Sequence, residues 1–218
     1  MIKTIVTRSA NDKLYNIFKS FWRDDNIFIQ KKEFVGFNGA LDYLLHLLTC
    51  TDYDGFIVNE DEDFFCINEN LIDSVIGHMV KNDIVYCGVP DGGIISHRNK
   101  SPFNSNPFFN VFNVSAIRAK ILEFDNSKQF EYANKVEKNG NLDEPFAGLF
   151  YWLHLNFKHT NFTHIESTDG ISTVIKINDE PIGIHSWYSR EYGKDKAQTD
   201  RINNCIEYAV LKQKNTNQ

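Results

Sequence analysis

Four consecutive acidic residues, Glu60 to Asp63, end a short apolar run in the segment DGFIVNEDEDFF (residues 54–65). Neighbouring carboxylates repel one another, so such a run either leaves the core for water or surrounds a cation. Asp61 and Asp63 are two residues apart, a spacing that points both side chains the same way in extended backbone. Carboxylate oxygens suit hard divalent ions such as Mg²⁺ and Mn²⁺. The segment therefore predicts either a solvated acidic turn or a divalent metal site held by Asp61 and Asp63.

The segment GIHSWYSREYG (183–193) places an imidazole, aromatic rings and a guanidinium close together. His185 is suited to ligate Mn²⁺, and Arg190 is suited to bind phosphate through two parallel hydrogen bonds. Trp187 and Tyr188 can pack on the C–H faces of a sugar. The structural alternative is a histidine at a strand end beside an exposed aromatic pair.

Candidate general bases stand in two other segments. Asp143 and Glu144 precede Pro145 in NLDEPFAGLF (141–150), a pattern typical of a helix start with Asp143 as its N-cap. A carboxylate can take a proton from a hydroxyl group, and a helix N-terminus keeps a carboxylate ionised. Asp91 competes for this role or binds sugar hydroxyls, because the two glycines after it allow close approach of a ligand.

Strands and helices alternate in the first half of the chain. Short apolar strands are predicted at KTIVT (3–7), NIFIQ (26–30), GFIV (55–58) and DIVYCGV (83–89). Between them, apolar residues recur at helical spacing over 14–21, 41–48 and 71–80. This rhythm predicts an α/β fold, with a mostly parallel sheet and helices on both faces. Ligands of such sheets bind beyond the carboxyl ends of the strands, where the acidic run lies.

The second half is expected to be mixed. A loop rich in Gly, Pro, Ser and Asn follows Pro90, and strands are predicted at FFNVFNV (108–114), ISTVIKI (171–177) and PIGIHSWY (181–188). One helix is expected to be capped by Ser115, and another to carry Phe146 and Leu149 on one face. The tail KQKNTNQ is expected to be frayed.

The bulk composition limits the classes of function. A chain of 218 residues that is 42% hydrophobic can build one ordinary core. Its net charge of −6 argues against a nucleic-acid partner, and no apolar run is long enough to span a membrane. Four cysteines without paired spacing predict reduced thiols, which is typical of a cytoplasmic protein.

The block FNGALDYLLHLLTCTDYDGFIVNEDEDFF (37–65) resembles glycosyltransferases of the GT-A fold. It has a helix that starts at small residues, and then an apolar strand that ends in the D-x-D triplet Asp61-Glu62-Asp63. The resemblance implies one domain over 1–218. It comprises a Rossmann-like nucleotide-binding half (1–95), an acceptor-side half (96–212) and a tail (213–218).

The same resemblance implies roles for individual residues. Asp61, Asp63 and His185 would hold Mn²⁺ or Mg²⁺ against the donor diphosphate, and Glu62 would face the ribose. Asp143, Glu144 and Asp91 are the candidates for the base. The remaining nucleotide contacts are Thr7, Arg8, Asn11, Asn38, Gly39 and Arg190. A polar turn with Asn11 capping the first helix is the structural alternative for the segment TRSAND (7–12).

The sequence thus indicates a metal-dependent glycosyltransferase that moves a sugar from a nucleotide-diphosphate sugar to a carbohydrate or other hydroxyl acceptor. A UDP-sugar is the first candidate for the donor. One alternative is a nucleotidyltransferase, although VTRSANDKLYN (6–16) lacks the glycine-rich phosphate loop of that class. Another is a non-enzymatic module that binds divalent metal or carbohydrate, which the strand–helix rhythm disfavours. The donor base, the acceptor, inversion or retention, and the oligomeric state stay open.

Overall fold

The computed structural model describes residues 1–34, 39–92, 95, 101–138, 140, 142–165 and 169–216. Within these ranges the α-helices are α1 (Asp12–Lys19), α2 (Gly39–Thr49), α3 (Glu69–Lys81), α4 (Val114–Arg118), α5 (Gln129–Val136), α6 (Ala147–Asn156) and α7 (Lys196–Thr216). The strands are β1 (Thr4–Arg8), β2 (Ile27–Lys31), β3 (Phe56–Asp61), β4 (Phe64–Cys66), β5 (Tyr86–Pro90), β6 (Ser105–Asn113), β7 (His159–Asn161), β8 (Thr163–Ile165), β9 (Thr173–Ile177) and β10 (Glu180–His185). Single 3₁₀ turns lie at Ile121–Glu123, Asn126–Lys128 and Ser189–Glu191. Within the described residues, no helix is long and apolar enough to cross a lipid bilayer.

A six-stranded sheet has the order β2-β1-β3-β6-β5-β7. The pairs β1–β2, β1–β3 and β5–β7 are parallel, whereas β6 runs antiparallel to both of its neighbours. The predicted α/β fold with a mostly parallel sheet is therefore confirmed. Strand β6, from the second half of the sequence, lies between β3 and β5 of the first half.

A smaller antiparallel sheet has the order β4-β10-β9-β8. The chain passes from the large sheet to the small one twice. It crosses from β3 to β4 through Glu62 and Asp63, and from β7 to β8 through Phe162. The first crossing joins β3, inside the large sheet, to β4 at one edge of the small sheet, and the second joins the edge strands β7 and β8.

Two apolar cores cover the two faces of the large sheet. One contains residues of α1, α3 and α7 together with the small sheet, and the other contains residues of α2, α4 and α6. Alternation along β3 explains the division, since Val58 belongs to the first core and Ile57 to the second. Phe64 and Phe65, directly after the acidic run, are fully buried in the first core. They fix the position of the turn that precedes them.

Asparagine side chains cap α1 and α4, two helices that follow strands. Asn11 Oδ1 accepts from the Leu14 N–H at 3.1 Å, and Asn113 Oδ1 accepts from the Ala116 N–H at 3.1 Å. The prediction that Ser115 caps α4 is therefore wrong. Its Oγ instead accepts from the Gly55 N–H at 2.7 Å and donates to Asp54, because α4 already starts at Val114 and Ser115 lies inside its first turn.

Two further predictions for the second half are corrected. Helix α6 starts at Ala147 with Phe146 at its N-cap, so Asp143 does not cap it. The tail is helical through Thr216, and Gln213 donates to the carbonyls of Phe21 and Cys66, both at 2.9 Å. These hydrogen bonds attach the end of α7 to the body of the protein.

Candidate metal centre and cleft

Asp61, Asp63 and His185 converge where the two sheets meet. Asp61 is the last residue of β3, Asp63 immediately precedes β4, and His185 ends β10, which pairs with β4 so that His185 lies opposite Phe64. One ligand atom from each side chain lies within 4.8 Å of the other two. Glu62 and Asp63 form a turn rather than extended backbone, so the turn and the β4–β10 pairing bring the carboxylates together.

The imidazole of His185 is held in one orientation. Its Nε2 lies 3.2 Å from Asp63 Oδ1, and its ring stacks on Phe108 with centroids 3.9 Å apart. Phe108 reaches it because β6 bulges, so that Gly88 lies opposite Asn110 while Val89 lies opposite Asn106. The bulge thus turns an aromatic ring of the large sheet toward the site.

The two carboxylates have unlike electrostatic surroundings. Burial alone would raise the pKa of Asp63, but the charge of His185 and hydrogen bonds from His185, its own backbone and Ser186 bring that pKa below its ordinary value. Burial raises the pKa of Asp61, the nearby Asp63 charge adds to the rise, and Arg8 opposes it. Arg8 Nη2 lies 3.5 Å from Asp61 Oδ2 and supplies the positive charge at this end of the cluster.

The donor set fits a hard divalent cation. Among the described residues, Asp61 Oδ1 and His185 Nδ1 are buried and meet no hydrogen-bond partner. Two carboxylates and one imidazole match the ligand preferences of Mn²⁺ and, for the oxygens, of Mg²⁺. A cation at this point would coordinate buried carboxylate oxygens that lack a full set of hydrogen-bond partners within the protein.

Glu60 differs from the three acids that follow it. It is fully buried on the face of β3 opposite Asp61, and neither of its carboxylate oxygens meets a partner among the described residues. Burial raises its pKa well above the ordinary value, and the charges of Asp61 and Glu69 add to the rise. Burial therefore favours the protonated form of Glu60, and this side chain points into the core, away from the other three acids.

A small basic pocket lies on one side of the cluster. Glu62 lines it and accepts from the Asn11 N–H at 3.1 Å, and burial raises the pKa of Glu62 to about 7. The pocket also has four cationic side chains and one aromatic ring. Its lining residues are Arg8, Ser9, Ala10, Lys31, Lys32, Phe34, Asp61, Glu62, Ser189 and Arg190.

A larger cleft of about 590 Å³ opens on the other side. It shares Arg8, Asp61, Ser189 and Arg190 with the basic pocket, so the two cavities meet at the acidic cluster. Its other lining residues are Ala40, Asp63, Asn106, Pro107, Glu144, Pro145, Phe146, His185, Trp187, Tyr188 and Glu191.

Buried amides support the floor of the cleft. Asn59 Nδ2 donates to Asn110 Oδ1 at 3.0 Å, and Asn110 Nδ2 donates to the Asn106 carbonyl at 3.2 Å. Asn106 Nδ2 in turn donates to Asp91 Oδ1 at 2.5 Å. Asp91 is therefore a buried acceptor behind Asn106, and Asn106 is the residue of this pair that lines the cleft.

Comparison with known proteins gives a structural likeness and no likeness in sequence. No family model matches the chain, and no curated protein matches it. The chain is similar in structure to a glycosyltransferase involved in the glycosylation of the major capsid of PBCV-1. The match covers 75% of this chain and 83% of that chain, at 8% sequence identity and a TM-score of 0.46. The Asp61 and Asp63 cluster is consistent with a D-x-D motif.

The remaining predicted site residues fall into two groups. Arg8, Glu62, Arg190 and Glu144 line a cavity. The others do not: Thr7 is fully buried, Asn11 caps α1, Asp143 is exposed, and Gly39 lets the Phe34 carbonyl oxygen approach to 3.0 Å of where a Cβ would stand. Asn38 lies outside the described residues.

Sequence reasoning missed several lining residues. Lys31 is the last residue of β2 and Lys32 follows it, so both stand at the carboxyl end of a parallel strand, where ligands of such sheets bind. Pro and Asn are typical of turns, which predicts a loop at Asn106 and Pro107, yet both belong to the bulged part of β6. Only the pairing of β6 with its neighbours reveals them.

Proposed function

We propose that the protein is a metal-dependent glycosyltransferase that moves a sugar from a nucleotide-diphosphate sugar to a hydroxyl acceptor. The observation that carries the proposal is the convergence of Asp61, Asp63 and His185 at the junction of a basic pocket and a larger cleft. A nucleotide sugar has the same three parts in the same order, namely a nucleoside, a diphosphate that binds metal, and a sugar.

The cavities divide the donor between them. The basic pocket takes the nucleoside, with Glu62 placed to accept from ribose hydroxyls. Arg8 and Arg190 line both cavities and are placed to bind the diphosphate between them, since guanidinium groups bind phosphate oxygens in pairs. The sugar and the acceptor occupy the larger cleft, where Trp187 and Tyr188 offer aromatic faces.

Asp61, Asp63 and His185 would hold Mn²⁺ or Mg²⁺. Bound there, the ion would supply positive charge that offsets the negative charge developing on the diphosphate leaving group. Burial of Asp63 and His185 keeps water from weakening these contacts. Asp63 is ready to bind because its lowered pKa keeps it ionised at neutral pH.

Of the three predicted bases, Glu144 is the one best placed to take the acceptor proton. It lines the cleft, whereas its neighbour Asp143 is exposed outside it and Asp91 lies behind Asn106. A carboxylate within hydrogen-bond reach of the acceptor hydroxyl is what direct displacement of the nucleotide requires.

Ligand binding tests the donor and the metal together. The shift in melting temperature with UDP-, GDP-, TDP- and CMP-sugars, with and without Mn²⁺, is expected to be positive for one base, with UDP as the first candidate, and larger with metal. Asp63→Asn should lose the metal-dependent part of the shift. Glu131→Gln, an exposed carboxylate on α5, is the matched control and should keep it. A parent protein that no nucleotide sugar stabilises would refute the proposal.

Transfer kinetics test the base. Glu144→Gln should lower kcat by about 10²- to 10⁴-fold, the usual contribution of a general base, with donor binding retained. Asp143→Asn is the adjacent control and should change kcat little. Equal kcat values for Glu144→Gln and the parent would remove Glu144 from this role and leave the metal proposal standing.

A further inference from the structure

The turn that follows β10 has a costly backbone conformation. Trp187 and Tyr188 both adopt left-handed dihedrals, with φ of 63° and 62°. Residues other than glycine rarely take this conformation, because the Cβ atom then lies too close to the backbone. Two such residues in succession persist only where surrounding contacts hold them.

Arg201 of α7 provides those contacts. Its Nη1 donates to the Ser186 carbonyl, and its Nη2 donates to the Trp187 carbonyl at 2.8 Å. The guanidinium is itself fixed, because Nε donates to Gln198 at 2.9 Å and Nη1 lies 3.6 Å from the Asp169 carboxylate. Arg201 therefore donates hydrogen bonds to two successive carbonyls, and its side chain is mostly buried.

The same turn is joined directly to the acidic cluster. The Ser186 N–H donates to the Asp63 carbonyl at 2.9 Å, and Ser186 Oγ lies 3.4 Å from Asp63 Oδ2. His185, the residue before Ser186, contacts the other oxygen of the same carboxylate. The position of Ser186 thus fixes both Asp63 and His185.

We propose that Arg201 is a positioning residue for the metal centre, which it serves by holding the turn of Ser186, Trp187 and Tyr188. The inference rests on the proposed function, because it assigns Arg201 to the same metal site. Arg201 does not line the cleft and, being a cation, is not a ligand. It acts through the backbone that carries His185 and through the Ser186 contacts with Asp63.

Manganese affinity, measured without any nucleotide sugar, is the main readout. Mn²⁺ binding is followed by the electron paramagnetic resonance signal of the free ion. Arg201→Met keeps the length of the stem and loses both carbonyl contacts, so its affinity should fall roughly 10- to 100-fold, as for other residues that orient metal ligands. Arg201→Lys should fall between the parent and Arg201→Met, since an ammonium lacks the planar pair of donors.

A second readout reports on the turn itself. The Trp187 indole N–H donates to Thr173 Oγ1 at 3.1 Å, and its nuclear magnetic resonance signal should shift in Arg201→Met. Lys196→Ala is the matched control, a cation on the same helix that is 88% exposed and contacts only Asp200 among the ion pairs of the described residues. It should leave both readouts unchanged.

The outcomes separate the inference from the proposed function. If the parent binds Mn²⁺ and either Arg201 variant binds it with the parent's affinity, the inference is overturned and the glycosyltransferase proposal is untouched. If the parent binds no Mn²⁺, the metal-dependent function fails and so does the metal-centre part of the inference. An unchanged indole signal in Arg201→Met would then also exclude its hold on the turn. If Arg201→Met does not fold, Arg201→Lys decides by the same criteria.

Discussion

Substitution of Gly183 by Ala should displace Phe64 and so disturb the acidic turn before it. A Cβ at Gly183 would lie 2.7 Å from Cε2 and 2.9 Å from Cε1 of Phe64, and closer still to Cζ. The Phe64 ring is fully buried and stacks on Phe109 with centroids 4.3 Å apart, so it has no solvent to move into. The clash must be relieved by movement of Phe64 and of β4, which directly follows Asp63.

The expected cost follows from the packing. An extra methyl in a filled core destabilises by about 1–3 kcal/mol. Phe64→Leu alone should cost roughly 1–2 kcal/mol, less than the 3–5 kcal/mol typical of Phe→Ala. Leucine lacks the ring atoms that the new methyl meets. The double variant should therefore cost less than the sum of the single variants by about 1 kcal/mol, within the range found for residues in contact.

Urea unfolding of the four proteins of this cycle measures the coupling. Gly77→Ala, on α3, is the matched control, because nothing lies within 4 Å of its new Cβ and alanine favours helix by up to about 1 kcal/mol. A Mn²⁺ titration of Gly183→Ala should show weaker binding than the parent. The reasoning is refuted if the two substitutions add to within about 0.3–0.5 kcal/mol.

Two further predictions concern groups outside the cleft. Lys3→Met should lower the free energy of unfolding by about 2 kcal/mol, the usual cost of removing a charged hydrogen-bond partner. Lys3 Nζ is buried and lies 2.7 Å from Glu69 and 2.8 Å from Asp73, and without it these half-buried carboxylates keep Arg23 as a partner. Urea melts that match the parent would contradict this, and Lys81→Met is a surface control. Burial, aided by the charge of His154, lowers the pKa of His159 to about 4 from 6.5, so the unfolded chain binds the extra proton and stability should fall as the pH drops from 6.5 toward 4. His159→Gln should lose less stability than the parent between pH 7.5 and pH 5, and parallel losses in the two proteins would show that His159 is not responsible.

The first half of the fold follows from its sequence because each element carries its own pattern. The strands β1, β2, β3 and β5 are short apolar runs, and α1 to α3 repeat apolar residues at helical spacing. Helix α7 is not predicted from the sequence. Its buried residues are Ile202, Cys205 and Ala209, and two of them are too small to give a clear apolar pattern. Its contacts with the rest of the protein stabilise this helix, and these contacts leave no strong periodic pattern in its sequence. Strands β4, β7 and β8 have three residues each, too few for a pattern.

The candidate site is predictable to a smaller extent. The spacing of Asp61 and Asp63 identifies both as candidate metal ligands. His185 lies 122 residues from Asp63, and only the pairing of β10 with β4 brings the two together. The proposed role of Arg201 depends on helix α7, which the sequence pattern does not predict. Asn106 reaches the cleft through an irregular strand. Each of these depends on contacts distant in sequence, for which a single sequence carries no local signal.

The crossing from β3 to β4 has a mechanical consequence. Asp61 belongs to the large sheet, whereas His185 belongs to the small one, and only Glu62 and Asp63 separate β3 of the first from β4 of the second. A cation held by these residues would link the two sheets, each of which has its own set of backbone hydrogen bonds. Hydrogen exchange in β3 and β10 should then slow together on loading, and chelation should release the small sheet before the large one.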